Sequence, residues 1–195
     1  MTARLVRGVP REHRHAAAEL YWQAFGGKLG PVMGPEPQAL RFLDRALRPD
    51  HAVTALSEDG RLLGIAGFKT AQGAFAGGTA ADLQAVYGWL GGLWRAFLLR
   101  LLSSEVDNDR FLIDGICVAR EARSRGIGSQ LVSALCDEAR TRGYAEIRLD
   151  VIDTNWRARQ LYERLGFRAV SEQNLGPLRL VFGFRSATVM VRRLD

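Results

Sequence analysis

The sharpest pattern in the chain runs from Glu146 to Ile152. Ile147, Leu149 and Val151 alternate with Arg148 and Asp150, which predicts a strand with one buried face. Phe111 to Val118 is an almost continuous apolar run, interrupted by Asp114 and Gly115, and predicts a strand inside a sheet. Between these two, Ile127 to Arg142 repeats Leu131, Val132, Leu135 and Ala139 at helical spacing and meets Gly143 at its end.

The rest of the chain reads outward from this unit. Arg4 to Val9 predicts a short strand. After Pro10 a helix carries Ala17, Leu20, Tyr21, Ala24 and Phe25 on one stripe. Gly26-Gly27 is expected to end it, leaving Lys28 to Pro35 as a loop. A second helix is expected from Glu36 to Arg48. His51–Ser57 and Arg61–Thr70 flank Glu58-Asp59-Gly60, the pattern of a hairpin, with His51 expected at the surface. Ala71 to Thr79 is a Gly-rich loop.

Asp82 to Leu102 is the most apolar stretch, a helix that Thr79 or Asp82 can cap. Leu83, Val86, Tyr87, Leu90, Leu93, Trp94, Phe97 and Leu101 share one broad face of it. Its uncharged part stops at Arg95, short of the ~18 residues of a membrane span. The face is expected to pack on the body or on a second copy of the chain, and otherwise to lie on a membrane surface. After the charged loop Ser103–Arg110 and the central unit, Asp153-Thr154-Asn155 caps a short helix from Trp156 to Leu165. Phe167–Val170 and Ala187–Arg192 are terminal strands around an irregular Asn174–Arg185. This order suits one α/β domain over residues 1–195, a mixed sheet covered by helices.

Charge narrows the partners. The net charge is +6 with a pI near 10.0, which favours anionic ligands. The basic residues are scattered, with no basic block interleaved with aromatics, so nucleic acid is not expected as a partner. Nearly all are arginine; the only lysines are Lys28 and Lys69. Cys117 and Cys136 lack metal-ligand spacing, so no metal is expected and both read as buried thiols of a reducing compartment. The first residues lack the charged start and apolar core of a signal peptide, so a cytoplasmic location is expected.

The candidate chemistry begins at Arg123-Ser124-Arg125-Gly126-Ile127-Gly128, between the apolar strand and the central helix. A helix start offers backbone N–H groups and the positive end of the helix dipole, an anion site. Gly126 and Gly128 let a phosphate approach the backbone, while Arg123 and Arg125 supply forked donors. A dinucleotide fingerprint fails because Leu131 stands where its third glycine belongs, and no lysine follows to make a P-loop.

That turn, preceded by Ile113-Asp114-Gly115-Ile116-Cys117-Val118, resembles the arginine-x-x-glycine-x-glycine signature of the GNAT N-acetyltransferase superfamily. Leu149-Asp150-Val151, Asn155, Ala158, Leu161-Tyr162-Glu163 and Gly166-Phe167 resemble that family's downstream strand and helix. The resemblance is strong from about Phe111 to Val170. It implies a GNAT-like fold with splayed central strands, and transfer of an acetyl group from acetyl-CoA to an amine acceptor by direct attack.

It further implies that the amides of the turn, extending to Ser129, hold a pyrophosphate, and that the backbone around Ile116, Cys117 and Val118 pairs with a pantetheine arm. Tyr162 matches the tyrosine that gives a proton to the departing thiolate, and Asn155 a residue that contacts cofactor or caps the helix. For the general base, Asp114 comes first and Asp150 second; Cys117 as nucleophile lacks a visible histidine partner. Tyr21, Trp22 and the Gly-rich stretch to Gly34 fall where the acceptor pocket is usually shaped. The chain departs from the family in its helical insertion at about 71–110. The competing functions are a non-catalytic acyl-CoA sensor, and a partner- or membrane-surface protein acting through the 82–102 helix.

Overall fold

The structure, a computed structural model, describes residues 3–102, 110–176 and 179–194. Among the described residues, eight strands form one mixed sheet in the order β1-β2-β3-β5-β6-β8-β7, with the short β4 paired to β3. The strands are β1 (Arg4–Arg7), β2 (Ala52–Leu56), β3 (Leu62–Thr70), β4 (Gly73–Ala74), β5 (Phe111–Val118), β6 (Glu146–Ile152), β7 (Arg168–Asn174) and β8 (Ser186–Arg193). Neighbours are antiparallel except β5 and β6, which run parallel. The helices are α1 (Arg14–Met33), α2 (Glu36–Ala46), α3 (Ala80–Leu102), α4 (Ile127–Thr141), α5 (Trp156–Arg164) and the short α6 (Arg179–Phe182). The mixed α/β class and the element order follow the hydrophobic periods.

Two faces can be told apart from glycines of β3. A Cβ on Gly64 would meet Leu131 at 3.1 Å and Ile127 at 3.3 Å, so that face carries α4. Gly67, three residues on, points the other way and abuts Phe75, whose ring meets Tyr21 of α1 edge-on at 5.9 Å. Between these layers, the rings of Phe68 and Phe111 lie 4.9 Å apart and both residues are fully buried.

Three expectations need correction. First, α1 does not stop at Gly26-Gly27; it continues through Pro31 to Met33. Tertiary contacts outweigh the local stop signals. Val32 and Met33 are buried, the Tyr87 hydroxyl donates to the Met33 carbonyl at 2.6 Å, and Gly26 leaves room for the Trp22 ring. Lys28 therefore sits on a helix, not in a loop. Second, His51 is buried, its ring 5.2 Å from that of Phe68 and its Nδ1 3.1 Å from Asp50.

Third, α3 is not one continuous helix with a single broad apolar face. Gly88 adopts φ +74° and breaks the rod, and Gly92 of the second half abuts the Gln84 backbone of the first. A stripe drawn on one continuous helix is thereby split in two. Leu83 and Tyr87 pack inward, as do Ala96 and Leu99, whereas Trp89, Leu90, Leu93 and Phe97 are more than half exposed. Thr79 and Asp82 both cap the start: Thr79 Oγ1 accepts from the Asp82 amide at 3.2 Å, and Asp82 Oδ2 accepts from the Thr79 amide at 3.0 Å. No described helix is long and apolar enough to cross a membrane.

The aromatic contact that joins β3 to β5 should dominate stability. Phe68→Ala should cost about 3–5 kcal/mol, measured by denaturant unfolding, because the residue is fully buried and the site cannot collapse around the loss.

Candidate active site

β5 and β6 begin as neighbours and then separate. Their pairing consists of Phe111 with Ile147 and Leu112 with Arg148, although both strands continue for several residues. On its other edge β5 stays paired to β3 as far as Val118 with Gly64. The Ala119 amide donates to the Leu63 carbonyl at 2.9 Å, so by alternation Cys117 directs its backbone groups toward β3 while Ile116 and Val118 direct theirs into the gap. Asp114 is the extra residue of a bulge, since Gly115 faces Gly67 and Ile113 faces Phe68.

The turn before α4 stands beside this gap. Gly126, the residue preceding the helix, adopts φ +80°, and Ser124 adopts φ +61°. A Cβ on Gly126 would meet no atom within 4 Å, so the turn's surface there is open. The first-turn amides of Ile127, Gly128 and Ser129 have no carbonyl of their own helix to pair with. The Ile127 side chain is buried and anchors the helix start, and Gly128 lies against Leu161 of α5. Arg123 donates from Nε to the Val118 carbonyl at 3.1 Å, tying the turn to the end of β5. An open, positively polarised turn next to unpaired strand edge suits a ligand with a phosphate end and an extended, hydrogen-bonding arm.

α5 brings the phenol. Asn155 accepts from the Ala158 amide at 3.3 Å and caps the helix, which is one of the two roles its position allows. Tyr162 packs against Phe167 with ring centroids 5.9 Å apart. Burial, reinforced by the nearby Cys117 thiol, pushes its hydroxyl up to about 12, so the phenol keeps its proton at neutral pH. Cys117 itself is fully enclosed, and burial raises its thiol far above the ordinary range, which removes it as a nucleophile.

The two acids lie on opposite sides of the gap. Asp114 Oδ2 accepts from the Ala76 amide at 2.9 Å, and burial raises its carboxyl, making it a stronger base than a surface aspartate. Asp150 is held by both nitrogens of the Arg148 fork, at 3.1 Å each. Both aspartates line a cavity of about 620 Å³, with Tyr21, Trp22 and Phe25 of α1 on another wall. Cys117 thus lies within electrostatic reach of Asp114 and of Tyr162, and Asp150 stands across the gap, whereas Tyr162, Cys117, Asn155 and the turn are not among the residues that line the cavity. Lys28, Lys69 and Arg100 also line the cavity, and no motif in the sequence points to them. The signal for two of them was present, since they are the only lysines in an arginine-rich chain.

A family model described as acetyltransferase (GNAT) family matches residues 14–167. The chain belongs to the GNAT acetyltransferase family. Among characterised proteins it is similar to a thialysine N-epsilon-acetyltransferase of Bos taurus, 37% identical over 60 residues that cover 31% of this chain and 35% of that one. It is also similar to a probable N-acetyltransferase camello of Xenopus tropicalis, 38% identical over 93 residues that cover 48% and 41%. The chain therefore spans well under half the length of these relatives. In fold it resembles an N-acetyltransferase from Staphylococcus aureus Mu50, with a TM-score of 0.68, 16% identity and coverage of 97% and 100%. A protein from Bacillus anthracis named as a putative streptothricin acetyltransferase, solved with acetyl coenzyme A, gives a TM-score of 0.50 at 16% identity, covering 74% and 62%. Among the described residues no group of three or more His, Cys, Asp or Glu is placed to hold a metal ion.

The enclosure of both thiols has a direct readout. Neither Cys117 nor Cys136 should react with iodoacetamide at pH 8 in the native protein, and both should react in denaturant.

Proposed function

We propose that this protein transfers an acetyl group from acetyl-CoA to a primary amine by direct attack. The observation that carries this reading is the gap left where β5 and β6 part, with the open turn of α4 at one end and the acid-lined cavity at the other. When bound, acetyl-CoA supplies an activated thioester. The amides of Ile127, Gly128 and Ser129, with Arg123, Ser124, Arg125 and Gly126 around them, bind its pyrophosphate. The backbone of Ile116, Cys117 and Val118 lines the pantetheine arm, with Ile116 and Val118 pairing to it as a neighbouring strand would. A backbone N–H of the same stretch stabilises the negative charge that develops on the carbonyl oxygen.

Asp114 takes the proton that the acceptor amine must lose, directly or through water, with Asp150 as the alternate base. Burial helps, because a raised carboxyl holds that proton better than an exposed one. Tyr162 donates its phenolic proton to the departing sulfur and recovers one from solvent. A hydroxyl raised to about 12 stays protonated until the moment of transfer.

Two experiments test these roles. Gly126→Glu places a carboxylate where the pyrophosphate should sit, and should weaken CoA binding by about tenfold or more in calorimetry relative to Gly126→Ala, which shares the backbone strain. Unchanged affinity would remove the turn from the site. Tyr162→Phe should lower kcat roughly 100-fold while CoA affinity holds. In the wild type no alkaline loss of activity should arise from Tyr162 below about pH 10, since its raised pKa keeps the acid form present there. A variant with full turnover across that range would reject the acid role.

A further inference from the structure

The wall of the cavity opposite the strand gap carries a cation whose surroundings fit a ligand anion. Lys28 lies on α1, inside the part of the helix that burial of Val32 and Met33 keeps folded. Its Nζ is 5.5 Å from the ring centroid of Phe25 and 5.5 Å from that of Phe184, one aromatic face on α1 and one beyond α6. The rings hold the ammonium in place but do not neutralise it. Among the described residues no carboxylate forms an ion pair with Lys28; Asp114 and Asp150 act on it only through space. Burial accordingly lowers its pKa, a cost that an anionic partner would remove.

The charges lining the cavity point the same way. Asp114 and Asp150 are the acids of its lining and Asp150 is held by the Arg148 fork, while Lys28 faces the space from α1. A plain cationic amine reaching that wall would meet Lys28 as a like charge. An amine bearing a carboxylate would satisfy both ends, with nitrogen toward Asp114 and carboxylate toward Lys28. The donor's pyrophosphate is not the anion concerned, because the turn that would hold it belongs to α4, on the other face of the sheet from α1. Tyr21, Trp22, Phe25 and Phe184 give the space between these ends aromatic walls.

From this arrangement we infer that the acceptor is a carboxylate-bearing amine of the amino-acid type, and that Lys28 is the residue that selects it. The inference rests on the transferase reading for the identity of the site, but it can be tested without turnover.

The test uses aromatic and aliphatic L-amino acids, each with its amide and its decarboxylated amine, on the intact protein in the presence of CoA. Equilibrium binding and thiol release from acetyl-CoA are both recorded. The acid of the best series should bind about 10- to 100-fold more tightly than its amide and its decarboxylated amine, the range expected for a charge-assisted contact. Lys28→Met should erase that preference through KM with kcat held, and Lys28→Arg should retain it. Preference for the amide or amine, binding of none of the series, or a preference that survives in Lys28→Met would each overturn the inference. Failure of the transferase reading looks different: the binding preference would persist while no amine released thiol.

Discussion

β5 and β6 leave each other after Leu112 and Arg148, and the stretch beyond must be held open against the tendency of buried strand edges to pair. Several local choices hold it. Phe111 is clamped between Phe68 at 4.9 Å and Tyr144 at 5.6 Å, which fixes the start of β5 in the core. The bulge at Asp114 then bends the strand as it leaves β6. At Gly115 a Cβ would lie 2.8 Å from the Phe25 ring, so only glycine admits that ring so close to the strand. On its side of the gap β6 is committed to β8 from Glu146 with Arg193 to Ile152 with Ala187, and has no freedom to follow β5.

From this separation the rest of the site takes its positions. The end of β5 runs into the turn that begins α4, and Arg123 ties the two by its bond to Val118. α5 lies against the same turn through Leu161 and Gly128, and this contact brings Tyr162 toward Cys117. The hydrophobic parts of α1 and the bulge together make a cavity in which an aspartate and a lysine are both largely dehydrated yet not in contact.

Much of this was legible in the sequence. The strands β5 and β6, the helix α4 and the capped α5 were visible because each combines a clean hydrophobic period with a local terminator: Gly126 before α4, Asn155 before α5 and Gly166 after it. The candidate site residues followed from position within those motifs. What was not legible depended on contacts distant in the chain. α1 continues past two glycines and through a proline because Met33 is gripped by Tyr87, some fifty residues away. The fate of α3 turned on one dihedral at Gly88, which no periodicity reveals. Lys28 looked like a loop residue for the first of these reasons, and its placement between two rings required Phe184 from the irregular segment before β8.

The near-absence of lysine has a consequence for the protein as an object in its own chemical surroundings. Activated thioesters acylate free amines without any catalyst, whereas guanidinium groups remain protonated and inert. With its basic surface made of arginine and both lysines drawn into the cavity wall, the molecule keeps its positive charge in a form that an activated thioester does not erode. Acylation of a lysine side chain is thereby confined to the cavity wall.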